Sequence, residues 1–219
     1  MTMMKAIKKT SNIFTVIDIG NNKVSCLIGT SVKTNDVQVK VLGFGQHASI
    51  GISNGLITNM NEIANSIARA VEGAETMAGF PIKKVVCSIP GGRNLPQIIR
   101  NQLKIDSGRV MKSDLIKIHK INDLIGIDNY TPLSITPIKY YIDKNSPVDN
   151  PIGMHTDNLT LDTSITYGKK NVMQNFVSAI ELCHLSTEKF IISPEASGIS
   201  TMTKDEREHG AIVIDLGGN

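Results

Sequence analysis

The chain has no tryptophan, and aromatic residues make up only 4% of its 219 residues. Cysteine is scarce too: Cys26, Cys87 and Cys183 are an odd set, each in an apolar segment. That excludes a disulfide framework or a thiolate metal site, and reads as reduced core thiols of a cytosolic protein. No apolar run reaches the ~18 residues of a membrane-spanning helix. Residues 1–12 are polar and basic and lack the apolar stretch of a secretion signal. His47, His119, His155, His184 and His209 show no metal-ligand spacing, and Ser25 and Ser88 stand in no nucleophile-elbow pattern. The net charge is only +3, with Lys and Arg scattered, so nucleic acid is not an expected partner. With 41% hydrophobic and 20% charged residues, the composition is that of a soluble globular chain large enough for a real core.

What is present begins at Ile13. Ile13-Phe14-Thr15-Val16-Ile17 is β-branched or aromatic and reads as a buried strand. Asp18-Ile19-Gly20-Asn21-Asn22-Lys23 is a turn signal, and Val24 to Ile28 reads as the returning strand. A hairpin tip with small turn residues, a carboxylate and a lysine suits a polyphosphate. Backbone N–H groups can approach the oxygens, and Asp18 can hold a hydrated Mg²⁺. A plain surface hairpin is the alternative. The pattern returns at the other end, where VIDLGGN at 213–219 repeats VIDIGNN at 16–22. The two copies lie too far apart for a solenoid period. They suggest a duplicated fold with a nucleotide between its halves.

Between them, Val37 to Phe44 reads as a third strand. Asn59 with Glu62 starts a helix with Ile63, Ile67, Val71, Ala74 and Ala78 on one face, Met77 as core filler, and Gly79 as its stop. Lys84–Ile89 and Gln97–Ile105 read as strands, with Gly91-Gly92-Arg93 as a tight turn or, less simply, an anion site. Ser113 caps a helix with Leu115, Ile118, Ile121 and Ile125 on one face. Residues 130–143 are extended, but Pro132 and Pro137 make edge or interrupted strands. Residues 144–155 read as a loop, and Leu159, Leu161, Thr163, Ile165 and Tyr167 alternate as a strand. A helix over 169–185, with Val172, Phe176, Ile180 and Cys183 buried, is followed by a strand at 190–192, a helix from Pro194, a solvated connector at 204–208 and the repeated strand.

Six segments resemble the FtsA family of actin-like cell-division proteins: VIDIGNNKVSCLIG at 16–29, GISNGLI at 51–57, AVEGAETMAG at 70–79, KKVVCSIPGG at 83–92, NPIGMH at 150–155 and TKDEREHGAIVIDLGG at 203–218. The resemblance implies an α/β fold of the actin-like (RNase H-like) type, of the actin/Hsp70/sugar-kinase superfamily. Subdomain 1A would occupy 12–83 and 167–208, an inserted α+β subdomain 1C (SHS2-type) 84–166, and the first strand of a truncated second half, 2A, 209–219. It implies ATP and Mg²⁺ as cofactors. Asp18, Gly20, Asn21, Asn22, Lys23, Asp215, Gly217 and Gly218 would bind the nucleotide, with Asp18 and Asp215 holding Mg²⁺ through water. The implied function is a protein that helps assemble the division ring and anchors the tubulin-like FtsZ to the cytoplasmic membrane. Implied partners are FtsZ, further copies in filaments, later division proteins through 1C, and the inner membrane through a C-terminal helix with no counterpart here. Two departures matter. Asn21-Asn22 replace the usual hydroxyl residues of the first loop. Ser193-Pro194 replaces the Glu-Pro whose Glu orients the attacking water in many superfamily members. No catalytic residue is therefore assigned, and the expectation is weak or no ATP hydrolysis and an inactive isolated chain. A pilus-assembly ATPase-like protein and a sugar kinase of the same superfamily are the alternatives.

Overall fold

The structure, a computed structural model, describes residues 13–33, 37–90, 94–123, 126–143 and 146–218; of residues 33, 37, 122 and 123 it describes the backbone alone. The chain divides into two compact units, Met1–Arg93 with Val172–Asn219, and Asn94–Asn171.

In the first unit, β1 (Ile13–Ile19), β2 (Lys23–Lys33) and β3 (Val37–Ala48) form an antiparallel meander. β6 (Lys84–Ile89) and β11 (Ser186–Ile192) add parallel strands on the other side of β1, giving the order β11-β6-β1-β2-β3. Period-2 alternation sends Thr15, Ile17 and Ile19 of β1 inward. Two short strands, β4 (Ile52–Ser53) and β5 (Leu56–Ile57), pair with each other. Helix α1 (Met60–Ala78) starts and stops where its sequence signals lie. The Asn59 side chain accepts from the N–H groups of Asn61 and Glu62, and Gly79 closes the helix in the left-handed region. Its face of Ile63, Ile67, Ala70, Val71 and Ala74 is buried. The helix approaches β3 so closely that a Cβ on Gly43 or Gly45 would run into the carbonyl oxygen of Ala74 or Ala70. Met77 is not core filler: it is 63% exposed, because Ala78 takes the place against Gly43.

Helix α3 (Lys170–Glu181) buries Met173, Phe176 and Ile180, with Val172 half-buried and Cys183 beyond its end. Helix α4 (Ser193–Thr201) follows β11 directly with proline in its first turn. The expected connector at 204–208 is instead helix α5 (Lys204–His209), started by a capping box between Thr203 and Glu206. The strand expected within 209–219 does not form over the described residues 210–218. The segment has no ladder partner, and Ile212, Ile214 and Leu216 are 92%, 77% and 90% exposed.

The second unit is a four-stranded antiparallel sheet, β7 (Leu95–Lys104), β10 (Asn158–Lys169), β8 (Tyr130–Ile142) and β9 (Ser146–Val148) in that order, with helix α2 (Lys112–Asp123). Ile105, Val110, Ile118, Leu159 and Leu161 form its core. It begins at Asn94 rather than 84, because Lys84–Ile89 pairs with β1 and β11 in the first sheet. Pro132 and Pro137 fall where the β8–β10 register slips; the strand runs on unbroken through both bulges, and β9 pairs only with its residues 140–142, so both prolines lie on a stretch of edge strand. β9 lies inside the segment expected to be a loop. Helix α2 is not capped by Ser113. It starts one residue earlier, and Asp114 Oδ2 accepts from the Met111 N–H at 3.0 Å. That bond, with Lys117 nearby, holds the Asp114 carboxyl below its usual range. Ile125 and Gly91-Gly92-Arg93 lie outside the described residues. Among the described residues no helix is long and apolar enough to cross a membrane.

Candidate functional site

Three parallel strands, β1, β6 and β11, bring their C-terminal ends together. Ligands of open α/β sheets bind beyond such ends. Asp18, one residue before the end of β1, lies in register with Ser88 of β6. Ser193 follows the last residue of β11 as the first residue of α4. Its Oγ lies 3.3 Å from Asp18 Oδ1, 3.0 Å from the Ile89 carbonyl oxygen and 2.9 Å from Ser88 Oγ. A hydroxyl has one proton and two lone pairs. Ser88 can donate to Ser193, which leaves the Ser193 proton for Asp18 and Ile89. Cys87, beside Ser88, is fully buried; burial and then the Asp18 charge push its thiol well above the usual range. Burial likewise pushes Cys26 up to about 12. Neither thiol is a nucleophile.

The turn next to Asp18 closes through the Gly20 N–H, which donates to Lys23 O at 3.0 Å. Asn21 Oδ1 accepts from the Gly55 N–H at 2.9 Å, tying the turn to the β4–β5 hairpin. That oxygen of Asn21 serves the fold. Asn22 and Lys23 are exposed, and the Asn22 carbonyl accepts from the Ser49 N–H at 3.0 Å.

In the second loop, Asp215 is exposed and its Oδ2 accepts from Ser197 Oγ at 3.0 Å. Gly218 abuts the Asn22 side chain, which a Cβ there would strike, while Gly217 has open space around it. The structure thus joins the two loops at Asn22 and Gly218. It also ties Asp18 and Asp215 to two serines four residues apart on α4, hence on one face of that helix. Sequence reasoning missed Ser197, set Ser88 aside as a nucleophile, and read Ser193 only as the replacement of a Glu. The available signal was the Ser-x-x-x-Ser spacing in the helix that follows β11.

Among the described residues no group of three or more His, Cys, Asp and Glu could hold a metal ion. The donor set does not fit a tight protein cage. It fits Mg²⁺, which keeps most of its waters and takes one or two carboxylates beside substrate phosphates. Lys23 is exposed at the first loop, and both loops are built of small residues.

No protein-family model matches the chain. It is similar to the cell division protein FtsA of Neisseria meningitidis serogroup B, 32% identical over 213 residues, which are 97% of this chain and 51% of that protein. It is similar to FtsA of Agrobacterium fabrum at 27% identity, over 96% of this chain and 49% of the relative. FtsA of Escherichia coli K12 matches at 28%, over 97% and 50%. The chain spans about half the length of the curated relatives it matches, consistent with an N-terminal part. Among solved structures, a PilM-PilN type IV pilus biogenesis complex covers 85% of this chain and is itself covered over 49%, with a TM-score of 0.55 and 10% identity. That likeness carries the fold alone, a mixed α/β architecture with a central sheet, and supports the actin-like class.

Proposed function

From its homology to the cell division protein FtsA, we propose that this chain is the nucleotide-binding first half of an actin-like division protein. The homologues support a cell-division actin-like protein. The finer reading is an ATP-dependent adaptor that self-associates into filaments, ties FtsZ to the cytoplasmic face of the inner membrane and recruits later division proteins. In this reading residues 94–171 are the 1C-type insert and the first unit is 1A. The observation that carries the nucleotide part is the Asp18 carboxylate at the shared end of three parallel strands, beside the Gly20–Lys23 turn.

Asp18 and Asp215 would hold a hydrated Mg²⁺, and Lys23, Gly20, Gly217, Gly218 and the Asn22 amide would face the phosphates. The ion, when bound, neutralises phosphate charge. Ser193 stands where a carboxylate would orient water, and a serine hydroxyl is too weak a base for that task at neutral pH. The site is therefore suited to holding a nucleotide rather than to cleaving it quickly.

The test is electron microscopy on lipid vesicles with ATP, using the complete reading frame to which these residues belong. ATP-dependent filaments that an Asp18→Ala variant cannot form are the expected result. Assembly that ignores both ATP and Asp18 would sink the proposal. A pilus-assembly role has in its favour only the likeness to the PilM-PilN complex, which at 10% identity speaks to the fold. Vesicle-bound filaments would separate the two, and phosphorylation of a sugar would point to the kinase alternative.

A further inference from the structure

We propose that Ser193 and Ser197 are positioning residues for a hydrated divalent cation, fixing the Asp18 and Asp215 carboxylates one helical turn apart along a single face of α4. The inference rests on the nucleotide reading above and adds the residues that set its geometry.

The N-cap of α4 is Ile192, whose side chain has no acceptor, and Ser193 is the first residue inside the helix. The Ser193 hydroxyl lies within hydrogen-bond distance of Asp18 Oδ1, Ile89 O and Ser88 Oγ. One turn later Ser197 Oγ donates to Asp215 Oδ2 at 3.0 Å. Residues four apart on a helix lie about 5–6 Å from each other at Cβ. The helix is therefore a ruler: it sets two aspartates from opposite ends of the chain at the spacing of its own turn. Each serine bonds one carboxylate oxygen, Oδ1 of Asp18 and Oδ2 of Asp215. A metal that keeps its water shell needs carboxylates aimed at those waters rather than at the ion. A bond from a hydroxyl that fixes the carboxylate's rotation supplies this aim. The two anchors differ. Ser193 sits half-buried in a hydroxyl cluster, whereas Asp215 is in an exposed segment that no sheet holds. Ser197 is thus the fastening that brings the second carboxylate to the site.

The experiment is amide NMR of the 219-residue chain titrated into the millimolar range with ATP, once with Mg²⁺ and once with EDTA, following Gly20 to Lys23. Orienting partners of direct metal ligands are typically worth 10–100-fold in metal affinity, and carboxylates that reach the ion through water place their partners at the low end of that range. Ser193→Ala and Ser197→Ala should each weaken Mg-ATP binding by about tenfold, leave metal-free ATP binding unchanged and keep the melting temperature. Ser193→Thr and Ser197→Thr, which retain the hydroxyl, should recover most of the loss. If the parent shows no response in the turn, or Asp18→Ala binds Mg-ATP as the parent does, the nucleotide reading falls and this inference with it. If Asp18→Ala loses binding while both alanine variants keep the parent's Mg²⁺ dependence, the positioning inference alone is overturned. A loss of equal size with and without Mg²⁺ marks a structural role and also overturns it.

Discussion

Val16-Ile17-Asp18-Ile19-Gly20 and Val213-Ile214-Asp215-Leu216-Gly217 are nearly the same five residues in two conformations. In the first copy Ile17 and Ile19 are fully buried, and in the second Ile214 and Leu216 are 77% and 90% exposed. Propensity cannot separate them, since both are β-branched and aliphatic around one Asp. Partners can. Ile17 pairs with Cys26 of β2 on one side and with Cys87 of β6 on the other. The second copy has neither neighbour, and its fixed points are a hydroxyl on Asp215 and the contact of Gly218 with Asn22. The first copy is held by its core; the second is held by its site.

The comparison breaks most easily at the isoleucines. Ile17→Ala removes buried methyl and methylene groups from a packed sheet and should cost about 2–5 kcal/mol. Ile214→Ala touches nothing buried and should stay within about 0.5 kcal/mol. Urea unfolding followed by circular dichroism measures both. Equal losses would mean that the second copy is packed in solution, and the contrast would disappear.

That same dependence on partners explains what could be read from the sequence. Helix α1 was legible to the residue, because Asn59 and Gly79 are local signals that act within one turn. Met77 was misread because the last turn of α1 turns Ala78, not Met77, toward β3. The start of the second unit was not legible. Lys84–Ile89 is a short apolar run, and nothing local tells which sheet will receive it. The site divides in the same way. Asp18 and Gly20 stand out as a D-x-G turn. The Ser88–Ser193–Asp18 cluster exists only through the parallel register of three strands from distant parts of the chain.

A second pair sharpens the comparison with a smaller effect. Gly45 sits under α1, and an added Cβ would strike the Ala70 carbonyl oxygen, which is backbone and cannot rotate away. Gly45→Ala must push the helix from the sheet, at about 1–3 kcal/mol for such overpacking. Gly217 has nothing within 4 Å of the corresponding position. Gly217→Ala should therefore leave the thermal midpoint unchanged, or raise it slightly by restricting the unfolded chain. A Gly45→Ala protein that melts with the parent would show that α1 does not rest on β3 as described.

The smallest effect lies just before the second copy. Thr203 and Glu206 close the capping box of α5: the Thr203 N–H and hydroxyl donate to Glu206 Oε2 at 2.8 and 2.9 Å, and Thr203 Oγ1 accepts from the Glu206 N–H at 3.2 Å. The backbone donor, then the hydroxyl, hold the Glu206 carboxyl below its usual range. A group whose value is lower when folded stabilises the fold above its ordinary value and loses that contribution as pH falls through the lowered one. Helix α5 should therefore be intact at neutral pH and fray on acidification, beginning at the ordinary Glu value and ending below it. The carboxylate is exposed, so the global unfolding midpoint should not follow. Carbon chemical shifts of residues 204–209 across an acid titration measure the fraying. Glu206→Gln keeps an acceptor but cannot ionise, and should flatten the profile. If the variant titrates like the parent, α5 is not fastened by this carboxylate.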